Sequence, residues 1–158
     1  MATTLTAATM KVTITESIRL NGTQQGATTT KSIASIATVS KRIIDVTTTE
    51  AVIATFSAAI GAGNYIAADV MYLRFTNLDD TNFVTLTFRN QDNDEFAVKV
   101  DAGHSFILAG DNVNGMTAVF NATEDADANS SANFGSLTNI QADADTGSVD
   151  LEMFIACK

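Results

Sequence analysis

Among 158 residues the chain has one histidine, His104, and one cysteine, Cys157. A Ser–His–acid triad would have to use His104, which sits in Asp101-Ala102-Gly103-His104-Ser105, a turn leading into a strand. No Gly-x-Ser-x-Gly elbow stands anywhere to present a serine nucleophile. A Cys–His pair needs Cys157 beside His104, and nothing in the sequence supports that. Single Cys and His residues also exclude, within one chain, a disulfide framework, a Cys-rich zinc site, a haem-attachment motif and catalysis built on several histidines. Gly61-Ala62-Gly63 is followed by neither a third spaced glycine nor Gly-Lys-Thr, so it does not read as a phosphate cradle.

Carboxylates offer more. Asp79-Asp80, Asp92-Asn93-Asp94-Glu95 and Glu124-Asp125-x-Asp127 carry the hard oxygen ligands that Ca²⁺ requires. None has EF-hand spacing, and solvated hairpin loops account for them more simply. Any two acids can meet in space as a glycosidase pair, but sugar-cleaving sites favour stacking aromatics, and the chain has no Trp and only Tyr65 and Tyr72. The expectation is no catalytic residue, no metal and no cofactor.

The elements that would position these residues are strands. In Lys11–Leu20, Val12, Ile14, Ile18 and Leu20 share one face and Thr13, Thr15, Ser17 and Arg19 the other, a period of two. Asn21-Gly22 signals a turn, and the polar segment 22–30 reads as a loop. Segments 31–37 and 42–47 read as short strands. Segment 50–57 is ambiguous: Thr47-x-x-Glu50 resembles a capping box and Gly61 a helix stop, but Val52, Ile53, Thr55 and Phe56 favour a strand. Strands are expected at 70–76, 83–89, 96–100 and 105–108, a short one at 116–120, and closing strands at 137–142 and 148–157. The last is apolar on both faces near its end, as for a buried central strand or a subunit contact. Short strands joined by Asn, Asp and Gly predict an all-β antiparallel sandwich or barrel. The chain divides into an extended N-terminal arm, residues 1–10, and a single β-sandwich domain, 11–158. Segments 110–115 and 121–135 are acidic, Asn-rich loops.

Hydrophobic residues make up 46% and charged residues 17%, enough for a core without metal or disulfide. The net charge of −9 repels nucleic acid, so none is expected as a partner. No signal peptide is visible, and the apolar stretch 51–63 is too short to span a bilayer, so no membrane association is expected. The first 42 residues carry Lys11, Arg19, Lys31, Lys41 and Arg42 against Glu16 alone, whereas residues 101–158 carry nine acids against Lys158. These five cations are candidates to meet an acidic patch on a neighbour. Most of the nine Phe should be core, while Tyr72 and Phe83 are candidates for a subunit contact. With no proline, turns rest on Gly, Asn and Asp, and sheet edges lack one guard against pairing, which favours a homo-oligomer.

Three segments carry a family resemblance: Val70-Met71-Tyr72-Leu73-Arg74-Phe75-Thr76-Asn77-Leu78-Asp79, then Thr81-Asn82-Phe83-Val84, then Phe96 to Leu108 with Asp101-Ala102-Gly103-His104-Ser105-Phe106. About a quarter of the chain thus resembles small virion structural proteins of tailed bacteriophages. The resemblance implies a jelly-roll-like sandwich and a non-enzymatic capsid decoration, or cement, protein that binds and stabilises the major capsid protein lattice, often as a trimer. It implies synthesis in the host cytoplasm and a final place in the virion, favouring the capsid surface. A tail or fibre protein, a carbohydrate- or calcium-binding module and an enzyme of unknown type are the alternatives. No catalytic residue carries over.

Overall fold

The computed structural model describes residues 5–59, 61, 63–117, 119–120 and 134–158. The strands are β1 (Ala8–Thr15), β2 (Arg19–Leu20), β3 (Thr23–Gln24), β4 (Thr28–Ile36), β5 (Thr38–Val46), β6 (Ala51–Ser57), β7 (Asn64–Ile66), β8 (Val70–Asn77), β9 (Val84–Asn90), β10 (Glu95–Val100), β11 (Ser105–Ala109), β12 (Leu137–Ala144) and β13 (Val149–Cys157). Among the described residues a single 3₁₀ turn, Ala67–Asp69, precedes β8. Among the described residues no helix is long and apolar enough to cross a membrane.

Two sheets form the body, ordered β11-β8-β13-β5 and β10-β9-β12-β6-β7. Setting aside short β7, which joins β6 in parallel, the body strands nest as antiparallel pairs: β5 with β13, β6 with β12, β8 with β11, β9 with β10. First therefore pairs with last, and so inward to the middle. This is the strand order of a jelly roll, a folded ribbon of strand pairs wrapped into two sheets.

Alternation explains the layering, since successive side chains on a strand point to opposite faces. Leu73 and Phe75 of β8, Leu86 and Phe88 of β9, Ile140 of β12 and Leu151, Met153 and Ile155 of β13 are fully buried between the sheets. At one end Phe96 stacks on Phe88 at 4.8 Å, while Phe120 and Phe134 meet Phe96 edge-on at 5.2 and 5.1 Å. These two rings anchor both ends of the acidic segment, whose residues 121–133, Glu124-Asp125-x-Asp127 included, lie outside the described residues.

Buried asparagines do the work of proline. Asn77 accepts the Asp79 N–H at 2.9 Å and donates to the carbonyls of Asn82 and Val100 at 2.8 and 3.1 Å. Asn90 accepts the amides of Asp92 and Asp94 and donates to the Phe134 carbonyl. Such local bonds replace the missing backbone pairs in a turn.

Segment 50–57 is a strand, as its β-branched residues indicate. Segment 116–120 is not: its described residues form turns, with Met116 fully buried and its N–H bonded to the Ala67 carbonyl. Gly115, at φ 54°, packs so closely on Ala67 and Ala68 that the chain turns inward there instead of extending. The N-terminal region differs from the strand expected over 11–20 and the loop over 22–30, while the strand expected over 31–37 falls within β4. The chain breaks at 16–18, turns at Asn21-Gly22 with both φ positive (51° and 83°), and returns to pair β4 with β1. The Thr-rich return strand adds hydroxyl contacts, Thr13–Thr30 at 3.1 Å and Thr15–Thr28 at 3.3 Å. The projecting element is therefore a two-stranded ribbon reaching to Ile36, longer than the ten residues expected.

Candidate interaction surface

The outer face of the β11-β8-β13-β5 sheet carries the ribbon. Its side chains follow from strand parity: Val39, Lys41, Ile43 and Asp45 on β5, Glu152, Phe154 and Ala156 on β13, Tyr72, Arg74 and Thr76 on β8, and Ser105 and Ile107 on β11. At its centre Glu152 accepts from Lys41 at 2.9 Å and from Arg74 at 2.6 Å. Arg74 also donates to the Thr76 hydroxyl at 2.7 Å, which lies 2.8 Å from that of Ser105. The Lys41 bond, aided by Arg74, holds the Glu152 carboxyl below its usual range, against a partial desolvation cost. The Arg74 guanidinium lies 5.9 Å from the centre of the Phe154 ring.

Beside this network is the seat of the ribbon. Met10, Val12, Ile33 and Ile36 pack on Met71, Tyr72, Phe154 and Ala156, a cluster separate from the main core. Tyr72 meets Phe154 edge-on at 6.1 Å. Burial pushes its phenol pKa up, with Arg74 opposing.

Ile14, Ile18 and Leu20 are about half exposed, at 47%, 49% and 55%. A lone two-stranded hairpin is marginal in water, yet its neck is closely made. The Glu16 N–H bonds the Ala27 carbonyl at 2.8 Å and the Gln25 N–H bonds the Ile18 carbonyl at 2.9 Å. A Cβ on Gly26 would stand 1.9 Å from the Glu16 oxygen.

The expected contact residues divide. Lys11, Arg19 and Lys31 are exposed on the ribbon, and Lys41 is exposed but engaged with Glu152. Arg42 lies on the opposite side of β5 and bonds the Ile53 carbonyl of the other sheet, tying the sandwich together. Tyr72 is not free surface: its own ribbon covers it, leaving 6% exposed. Phe83 lies before β9, in the other sheet, with the Lys99 ammonium 4.3 Å from its ring centre. Period two identified Ile14, Ile18 and Leu20 as one face but assigned them no partner, and the exposed Val39 and Ile43 were not singled out.

The remaining chemical candidates do not converge. His104 is exposed, its Nδ1 3.0 Å from the Ala102 carbonyl. Cys157 is half-buried, and burial pushes its thiol pKa up. They lie at opposite ends of β8, about 20 Å apart at strand rise. Asp79 accepts the amides of Thr81 and Asn82, and Asp111 those of Val113 and Asn114. These bonds hold both carboxyls below the usual range. Among the described residues no three His, Cys, Asp or Glu side chains are grouped to hold a metal ion. The outer face of the second sheet is polar, with Thr85, Thr87, Arg89, Asn139, Gln141 and Asp143, apart from the exposed Val52.

The chain matches no protein-family model, no curated sequence and no solved structure.

Proposed function

We propose that the chain is a non-enzymatic structural protein of a tailed-phage particle, which decorates the capsid and uses its N-terminal ribbon as an anchor. The observation that carries this reading is the ribbon: a well-made β-ribbon with exposed Ile14, Ile18 and Leu20, flanked by Lys11, Arg19 and Lys31, that packs on its own body through Met10, Val12, Ile33 and Ile36. Apolar side chains held out on an ordered arm suit a surface supplied by another molecule. The ribbon, residues 5–36, has a net charge of +2 and the rest of the chain −11, so it is drawn to acidic shells or neighbours while the body stays in solvent. The residue-level resemblance to virion proteins and the jelly-roll strand order, which capsid domains share, support the same reading. Fold alone does not give function, and the ribbon is what makes the reading specific.

The mechanism is mass action. A protein that binds only the assembled lattice of major capsid protein stabilises it, by about 2.7 kcal/mol per site at a hundred times the dissociation constant. The test is co-sedimentation with heads of the phage that encodes the chain, purified without it. Ile18→Asp with Leu20→Asp, both exposed and outside either apolar cluster, should abolish binding while leaving the thermal melt unchanged. Undiminished binding of that double variant removes the ribbon as anchor. Immunogold label on tails rather than heads would move the protein to a tail or fibre.

A further inference from the structure

We infer that β5 is a self-pairing edge through which two copies of this chain join as a two-fold dimer. The strand is nine residues long, ends its sheet, and among the described residues has no strand on its outer side. It has no proline and no bulge against β13 to blunt it. Val39 and Ile43 on its outer face are 54% and 60% exposed. At its start Tyr65 of β7 donates to the Ser40 hydroxyl at 3.0 Å, which leaves Lys41–Val46 as the open stretch.

The sequence of that stretch is complementary to itself. In an antiparallel pair residues directly opposite share a face, and a two-fold axis can pass through one residue and its copy. Centred on Ile43, the pairing sets Ile43 against Ile43, Lys41 against Asp45 twice, and Arg42 against Ile44 twice. Both Lys41–Asp45 pairs fall on the outer face, where each contributes as an opposite-charge cross-strand pair. Centring on Arg42 stacks arginine on arginine, centring on Asp45 opposes two carboxylates, and centring on Ile44 leaves Asp45 facing Ile43. Only the Ile43 register satisfies the charges. The result is a continuous sheet across both copies, four strands from each, by the strand-addition mode of recognition. The occupant is a second copy because the edge carries the charges its own sequence neutralises. The contact involves no capsid partner and stands apart from the virion reading. An edge pairing of this length buries less than the roughly 1,000 Å² of a stable interface, so association falls in the micromolar range.

Sedimentation velocity of the full chain over a concentration series tests it, with a reversible monomer–dimer equilibrium expected. Ile43→Lys should weaken association by about 100-fold, since each dimer loses two buried Ile contacts. Ile107→Lys, on the opposite edge strand, should leave it unchanged. Asp45→Lys opposes two lysines twice and Lys41→Asp opposes two aspartates twice, so each variant alone should be monomeric. Mixed in equal amounts, they regain both charge pairs and should form a one-to-one dimer. A monomer at all concentrations, a trimer, equal effects of Ile43→Lys and Ile107→Lys, or a mixture that stays monomeric would each overturn the pairing.

Discussion

Ile33 is 8% exposed and belongs to the cluster under the ribbon, not to the core between the sheets. Ile33→Ala therefore acts on the attachment of the ribbon and leaves the sandwich core intact. An Ile→Ala change at a buried site costs about 2–5 kcal/mol, and a seat at the surface can partly collapse, so about 3 kcal/mol is expected. That free energy corresponds to roughly a 100-fold rise in the open population of the ribbon. Native-state hydrogen exchange reads it directly. Amides of β1 and β4 that bond across the ribbon should lose protection by about that factor, while those of Leu73, Phe75, Leu151 and Met153 keep theirs. The thermal transition distinguishes local from global loss. A cost of 3 kcal/mol shared by the whole molecule lowers Tm by about 6–12 °C for a chain of this size, whereas a locally opening ribbon leaves the main transition within about 3 °C. Equal loss of protection across β8 and β13, or a full Tm drop, would show that ribbon and sandwich unfold together, and the separate-seat reasoning fails.

Asn77→Asp should destabilise the fold by about 2–4 kcal/mol at pH 7, because the new side chain still accepts the Asp79 N–H but turns an anionic oxygen toward the carbonyls of Asn82 and Val100. Its carboxyl pKa is then raised in the folded state, so the penalty shrinks as pH falls toward 4; urea unfolding at both pH values checks this, and an equal deficit at both refutes it. Glu152, by contrast, has a lowered pKa in the folded protein. Its contribution is fully present above the ordinary value of 4.5 and is lost as pH falls through the lower folded value. Melting curves of wild type and Glu152→Gln should therefore lie furthest apart at neutral pH and converge in acid, whereas a gap that stays constant through the acid range assigns the difference to packing.

Much of the fold was legible because strand parity is a local signal. Val70–Asn77, Val84–Asn90 and Glu95–Val100 announce themselves by alternation, and their bounding turns by Asn, Asp and Gly. Where helix-capping signals and composition disagreed, over 50–57, the β-branched residues decided correctly, because a pleated surface accommodates them better than a helix does. The misses share a different cause. Parity says which side chains share a face, not what covers that face. Tyr72 and Phe83 looked alike as aromatics on an outer side, yet one lies under the ribbon and the other beside Lys99 in the opposite sheet. Lys41 and Arg42 are neighbours in sequence, and the same alternation sends one to Glu152 and the other to the Ile53 carbonyl. The ribbon itself was hidden because Thr28–Thr30 read as the end of a polar loop and 31–37 as a separate short strand, and nothing local in either segment names β1 as the partner. Met116 was read as strand because apolar residues look the same whether they extend along a sheet or plug its end.

The two outer faces of the sandwich obey different rules. One is finished with the polar side chains of Thr85, Thr87, Arg89, Asn139, Gln141 and Asp143. The other exposes Val39, Ile43 and Ile107 around an ion-paired centre, bears the ribbon, and ends at an unguarded strand. Scattered apolar exposure is ordinary on a soluble protein, but three β-branched residues on one sheet face, with Ile14, Ile18 and Leu20 on the arm above it, form a directional pattern. The Lys41–Glu152–Arg74 bonds fix the charged side chains on that face, so docking a partner there costs little further ordering. A surface ordered in advance, with apolar residues around a neutralised centre, is suited to permanent contact.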